Sequence, residues 1–254
     1  MSLASNAQLT MSNGQSTATI ISTILGSGVT ITNPTFAGAA NAKGKFACAN
    51  ACNLGLDSGI ILSSGYAGGV AAPASNFHSD APNTAGDATL NAIVAPNVTY
   101  DAAVLEFDFA IASDSMQFQY VFGSEEYNDW VNTAYNDVFG FFVTGPGITG
   151  TKNIAIVPGT VNTPVSINNV NNGGPYGGNA TGPCTNCAYF VDNVGGASVY
   201  LDAFTTPLTA KSGVQPCETY HIKLAVADVS DHVYNTDVFI KANSFSSLGQ
   251  IQLF

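Results

Sequence analysis

The residues best able to do chemistry gather in one acidic stretch, Gly123-Ser124-Glu125-Glu126-Tyr127-Asn128-Asp129, followed by Tyr135-Asn136-Asp137. Carboxylate and carboxamide oxygens packed this densely are the donors of a hard cation, and Ca²⁺ takes six to eight of them at about 2.3–2.6 Å. A second segment, Asp228-Val229-Ser230-Asp231 with Asp237 beyond it, has the same chemistry. Placed at one end of the fold, the two loops would share a Ca²⁺ ion held by Glu125, Glu126, Asn136, Asp137, Asp228, Asp231 and Asp237. The spacing does not follow the Asp-x-Asp-x-Asp-Gly loop of EF-hands. Asp and Asn also favour turns through their own backbone hydrogen bonds, so a pair of solvated turns is the competing reading.

Glu125 and Glu126 are also the only adjacent carboxylates that could serve a glycoside hydrolase. That chemistry needs two carboxyls about 5–9.5 Å apart across one cleft, whereas neighbours on a strand face opposite ways. It is a remote alternative. Nucleophilic hydrolysis has less support, because Gly-x-Ser-x-Gly, His-Glu-x-x-His and Walker patterns are missing from the sequence and His78, His221 and His232 are scattered. The chain therefore reads as non-catalytic. Trp130 and Tyr176, with Tyr127 and Tyr135, are the aromatics that could stack on sugar rings, and packing is an equal explanation for them.

Cysteine placement adds a constraint on compartment. Cys48 with Cys52 and Cys184 with Cys187 are short-range pairs, and Cys217 is left over or exchanges with one of the second pair. A lone Cys-x-x-Cys is a poor zinc site. Local disulfides are the leading reading, with free thiols behind it.

The elements that must position these groups are mostly strands. Leu105, Phe107 and Phe109 alternate with Glu106 and Asp108, Phe118, Tyr120 and Phe122 with glutamines, and Ile222, Leu224 and Val226 with His221 and Lys223. Period-two alternation marks half-buried strands. Apolar runs at 59–62, 138–143, 153–157, 164–167, 199–204 and 238–240 bring the total to about nine or more strands between Gly/Pro/Asn turns. Helical spacing appears at Ile20, Ile21, Ile24 and Leu25, with Ser16 or Thr17 to cap and Gly26 to stop, and again after Gly86-Asp87. The expected fold is all-β, a β-sandwich or jelly roll with one or two short helices. Residues 1–254 read as one domain with 1–15 as an arm or strand, and 168–179 as a long polar loop.

Composition narrows the partners. Six basic residues, all lysine, stand against 17 acidic ones, giving a net charge of −11. Nucleic acid and anionic membranes need basic clusters, so the charge argues against both. Neither a membrane-spanning apolar run nor a signal peptide is visible. Only 9% of residues are charged, and a surface so weakly repulsive tolerates packing against copies of itself or against carbohydrate.

Several stretches together resemble a known family. They are Asp101-Ala102-Ala103-Val104-Leu105-Glu106-Phe107-Asp108-Phe109, Val121-Phe122-Gly123-Ser124-Glu125-Glu126-Tyr127, Asn136-Asp137-Val138-Phe139-Gly140-Phe141-Phe142 and Gly145-Pro146-Gly147-Ile148. Ile154-Ala155-Ile156-Val157-Pro158-Gly159, Val165-Ser166-Ile167-Asn168-Asn169-Val170-Asn171 and the run from Pro216 through Asp228 continue the pattern. The chain resembles the choice-of-anchor L domain over nearly its whole length. That resemblance implies a secreted or surface-attached bacterial protein, of a kind frequent in Bacteroidota, and implies no reaction. Two roles follow as expectations: a subunit of a surface filament or layer, or an adhesin module that binds a glycan or protein.

Overall fold

The computed structural model describes residues 9–48, 52–74, 77–174, 183–196 and 198–247. Along the chain, β1 (Leu9–Ser12) precedes α1 (Thr17–Ile24), β2 (Val29–Ala37), β3 (Lys43–Cys48), β4 (Ser58–Ser63) and α2 (Ala88–Val94). There follow β5 (Thr99–Ile111), β6 (Ser115–Ser124), β7 (Val138–Thr144), β8 (Lys152–Asn153) and β9 (Phe190–Asp192). The last elements are β10 (Ala203–Thr205), β11 (Leu208–Gly213), β12 (Thr219–Val229), β13 (Thr236–Lys241) and β14 (Ser246–Ser247). The all-β class read from the sequence is correct.

Two antiparallel sheets form the fold. The larger runs β1-β3-β4-β13-β6-β10-β9, with β11 and β14 also paired to β6; the smaller runs β2-β5-β12-β7-β8. Alternation explains their packing. Leu105, Phe107 and Phe109 of β5, Phe139 and Phe141 of β7 and Leu224 of β12 meet Phe118, Tyr120 and Phe122 of β6 and Val238 and Ile240 of β13 in one core. The other face of the large sheet is also buried, because Val121 and Phe239 pack under Leu54, Leu56, Val70, Val199, Tyr200 and Leu201. The outer face of the small sheet is covered by Leu90 and Val94 of α2.

Both helices start where a side chain satisfies free N–H groups. Ser16 Oγ accepts from Thr19 N–H, and Asp87 Oδ1 accepts from Thr89 and Leu90 N–H. Asp87 Oδ2 also binds Lys223 Nζ, which ties α2 to β12.

Three expected strands are shorter or broken. Residues 153–157 and 164–167 make only β8 and the isolated bridges Ile156–Pro164 and Val138–Ser166. Pro158 and Pro164 carry no N–H to extend a ladder there. The run 199–204 enters a strand only at Ala203, and its first residues lie over the outer face of the large sheet instead. Of the loop expected at 168–179, residues 175–179 lie outside the described residues.

Candidate functional site

β6 and β13 lie side by side, with Ser124 opposite Thr236 and Gly123 opposite Asp237. Successive side chains of a strand leave opposite faces. Thr236 therefore shares the inner face with Val238 and Ile240, while Asp237 shares the outer face with Phe239. The predicted acidic residues divide along that line.

On the inner side, Thr236 Oγ1 donates to Asp137 Oδ2 at 2.6 Å and lies 2.7 Å from Ser124 Oγ. Val229 N–H donates to Asp137 Oδ1 at 2.9 Å, which pins the end of β12 to the start of β7. Asp228, just past the bulge that follows Val226, is 1% exposed and lies against Ser64 and the Asp137 carboxyl. Glu126, also 1% exposed, leaves Oε2 without a partner. In the same turn, both amide atoms of buried Asn128 are unpartnered.

On the outer side, Tyr200 O–H donates to Asp237 Oδ2 at 2.9 Å and His78 N–H to Glu125 Oε2 at 2.9 Å. Asp237 Oδ1 and Glu125 Oε1 have no partner, although both residues are buried. The His78 ring stacks on Tyr200 with 3.9 Å between centroids. Asp202 and Asp80 add further negative charge around this pair.

None of the six lysines pairs with these carboxylates; Lys223 is engaged by Asp87 and Glu106. Burial without a counter-charge favours the protonated form. Burial, reinforced by Asp202 and Asp237, lifts Glu125 to about 9 against the pull of the His78 N–H. Asp237 rises to about 7 by burial, against the Ser63 and Tyr200 hydrogen bonds. Asp202 rises to about 7, again mainly by burial. Burial first pushes up Glu126, Asp137 and Asp228. The charge of Asp137 adds to it at Glu126 and at Asp228, whereas at Asp137 the added charge is that of Asp231, opposed by the Thr236, Val229 and Asp228 hydrogen bonds. Such a cluster is either neutralised by protons or compensated by a cation. Its donor set, all oxygen, suits Ca²⁺. Among the described residues, no three His, Cys, Asp or Glu side chains already close on one point as in a finished metal site.

The remaining predicted residues fall around this centre or apart from it. Asp231 sits on the rim, with Oδ1 accepting from Val233 N–H, and contributes charge to Glu126 and Asp137. Asn136 is turned to the neighbouring loop, where its Oδ1 accepts from Asn168 N–H at 2.9 Å. Trp130 is half-buried and packed edge-on by Tyr135 at 5.0 Å. Tyr176 lies outside the described residues. Glu125 and Glu126 face different groups, and neither lines the open groove of about 1250 Å³ that runs between residues 147–164 and β11. Disulfides join Cys48 to Cys52 and Cys184 to Cys187, leaving Cys217 free and exposed.

The family model of the choice-of-anchor L domain matches residues 8–246 of the 254-residue chain. The chain belongs to the choice-of-anchor L domain family. No curated protein and no solved structure matches it. Choice-of-anchor L domains are surface-associated modules and not a known enzyme family, so the chain is a cell-surface or extracellular protein. The two disulfides agree with that compartment. No helix among the described residues is long and apolar enough to cross a membrane.

Sequence reasoning missed Tyr200, Asp202 and Thr236 as parts of this centre. Tyr200 and Asp202 flank Leu201 in a run that reads as an apolar strand, and Thr236 carries no signal of its own. Only the pairing of β13 with β6 brings Thr236 to Asp137.

Proposed function

We propose that this domain is a non-catalytic surface module whose acidic strand ends are held together by Ca²⁺, and that it serves as a subunit of an extracellular filament or layer. The observation that carries the calcium reading is Asp228, a carboxylate 1% exposed and crowded by the charges of Asp137, Asp101 and Glu126, with no lysine in reach to compensate it. Leaving a buried polar group unsatisfied costs about 1–3 kcal/mol, and more for a charged one. A divalent cation removes that cost for several carboxylates at once.

Assembly is supported by sheet edges. Among the described residues, β11 pairs with β6 alone, and its other side borders the open groove. An unpaired edge is a template for a strand from another chain. The edge of β2 is better protected, since Pro34 and the irregularity between Thr32 and Thr35 interrupt it. The same groove, lined by Lys152, Lys211 and Tyr189 among threonines and prolines, favours the second reading, an adhesin module that takes a glycan or peptide there.

Melting the purified chain at pH 7.5 in Ca²⁺ and in excess chelator tests the ion. A ligand bound only by the folded state at one hundred times its Kd stabilises by about 2.7 kcal/mol, so the melting temperature should rise with Ca²⁺; equal temperatures would remove calcium from the account. Light scattering on the same samples tests assembly. Growth in mass with concentration is expected of a filament subunit, and a strict monomer in both buffers leaves the adhesin reading.

A further inference from the structure

We infer that Lys223 and Asp87 become joined by an intramolecular amide bond, Nζ to Cγ, which forms in the folded domain with loss of one water and clamps α2 to β12. The two residues lie 136 apart in sequence, yet Lys223 Nζ touches Asp87 Oδ2 directly. Their side chains are 17% and 11% exposed. Glu106, the cross-strand neighbour of Lys223 on β5, brings Oε1 to 3.7 Å from the same nitrogen. An amine to attack, a carboxyl carbon one bond beyond its contact and a second carboxylate to carry protons are the groups that amide formation requires.

The surroundings suit the reaction. Asp87 Oδ1, the oxygen that gains negative charge when Nζ attacks Cγ, already accepts from the N–H groups of Thr89 and Leu90 at 2.9 and 3.0 Å. Two backbone donors aimed at that oxygen act as an oxyanion hole. Thr89 Oγ1 accepts from Nζ at 3.2 Å and steadies it. All three charged side chains line one cavity of about 320 Å³, whose other walls include Ala37, Gly38, Ala85 and Val104. Holding amine and carboxyl in contact replaces a bimolecular encounter, and well-oriented intramolecular reactions reach effective molarities of about 10⁵–10⁸ M.

The proton balance closes within the three residues. The Nζ ammonium passes one proton to Oδ2, leaving a neutral amine beside a carboxylic acid. Nζ then attacks Cγ, and its excess proton goes to Glu106. Glu106 returns that proton to Oδ2, the Cγ–Oδ2 bond breaks, and water leaves as Oδ1 becomes a carbonyl oxygen again. Glu106 ends as it began. The product keeps Oδ1 on the Thr89 and Leu90 N–H groups, so the cap of α2 survives. The bond closes residues 87–223 into one covalent loop, and a cross-link over so long a loop raises resistance to unfolding.

The test is intact-mass spectrometry of the reduced, alkylated and denatured full chain, with sequencing of its chymotryptic peptides. The expected mass is one water below that of the sequence, with a branched peptide joining the segments that carry Lys223 and Asp87. Lys223→Arg and Glu106→Gln should each restore the full mass, with gel filtration to show that they fold. Glu106→Gln keeps both reacting groups, so a bond that still forms there would overturn the proton-carrying role of Glu106. A wild-type chain at full mass, or a water loss that persists in Lys223→Arg, would overturn the bond itself. The wild-type mass and branched peptide decide the matter even where a variant does not fold, and neither depends on calcium.

Discussion

Replacing Asp237 with Asn separates the cost of burying a carboxylate from the benefit of a bound ion. Asp237 is 0% exposed, and its pKa climbs from 3.8 to about 7. The folded chain therefore keeps a proton that the unfolded chain has released. In the metal-free protein this penalty is absent below about pH 4, grows as pH rises, and is complete above about pH 7. Its size at pH 8 is about 4 kcal/mol, from a rise of some three pH units at about 1.4 kcal/mol each. Asparagine cannot ionise, and its amide oxygen still accepts the Tyr200 O–H. The pKa of about 7 already includes the hydrogen bonds to the charged form, so the gain for a neutral side chain is the same ~4 kcal/mol. At about 2–4 °C per kcal/mol for a domain of this size, Asp237→Asn should melt about 8–16 °C above wild type in chelator at pH 8. At pH 4 the two should coincide. Saturating Ca²⁺ should shrink or reverse the difference, because only the wild type keeps the full ligand set. The assay is thermal melting across pH with and without chelator. A variant less stable than wild type at pH 8 in chelator would refute the reasoning.

Further expectations concern the scaffold around the site. A Cβ at Gly59 would lie 1.9 Å from the Ile240 carbonyl oxygen, inside the β4–β13 ladder, so Gly59→Ala should cost more than about 3 kcal/mol or prevent folding; near-wild-type stability in urea would show that the pairing is misplaced. Asp87→Ala removes the cap of α2 and the partner of Lys223, and should lower stability by at least about 1–2 kcal/mol, read as a lower urea midpoint.

Much of the sandwich is legible in the residues because burial on one face imposes a period. Leu105-Glu106-Phe107-Asp108-Phe109 and Phe118 to Phe122 announce β5 and β6, and Ser16 and Asp87 announce the helix starts. β11 hides because its buried positions beyond Leu208 are Ala210 and Ser212, too small to stand out. β2 hides because it is largely exposed. Conversely, 199–201 is apolar for packing against a sheet and not for joining one. The acidic centre was visible as composition, in Glu125, Glu126, Asp137, Asp228 and Asp237. Its division was not, because which face each carboxylate takes depends on the β6–β13 register, a long-range pairing with no local trace. Turn propensity also points the other way, toward solvated loops, where the fold buries these groups at strand ends.

The central claim is that these buried carboxylates are compensated by Ca²⁺ and not by protons. An experimental structure determined near pH 7.5 in Ca²⁺ addresses it directly. The account predicts an ion with oxygens of Asp228 and Asp137 at about 2.3–2.6 Å. Carboxyl–carboxylate hydrogen bonds between Asp137 and Asp228, with no ion between them, would contradict it.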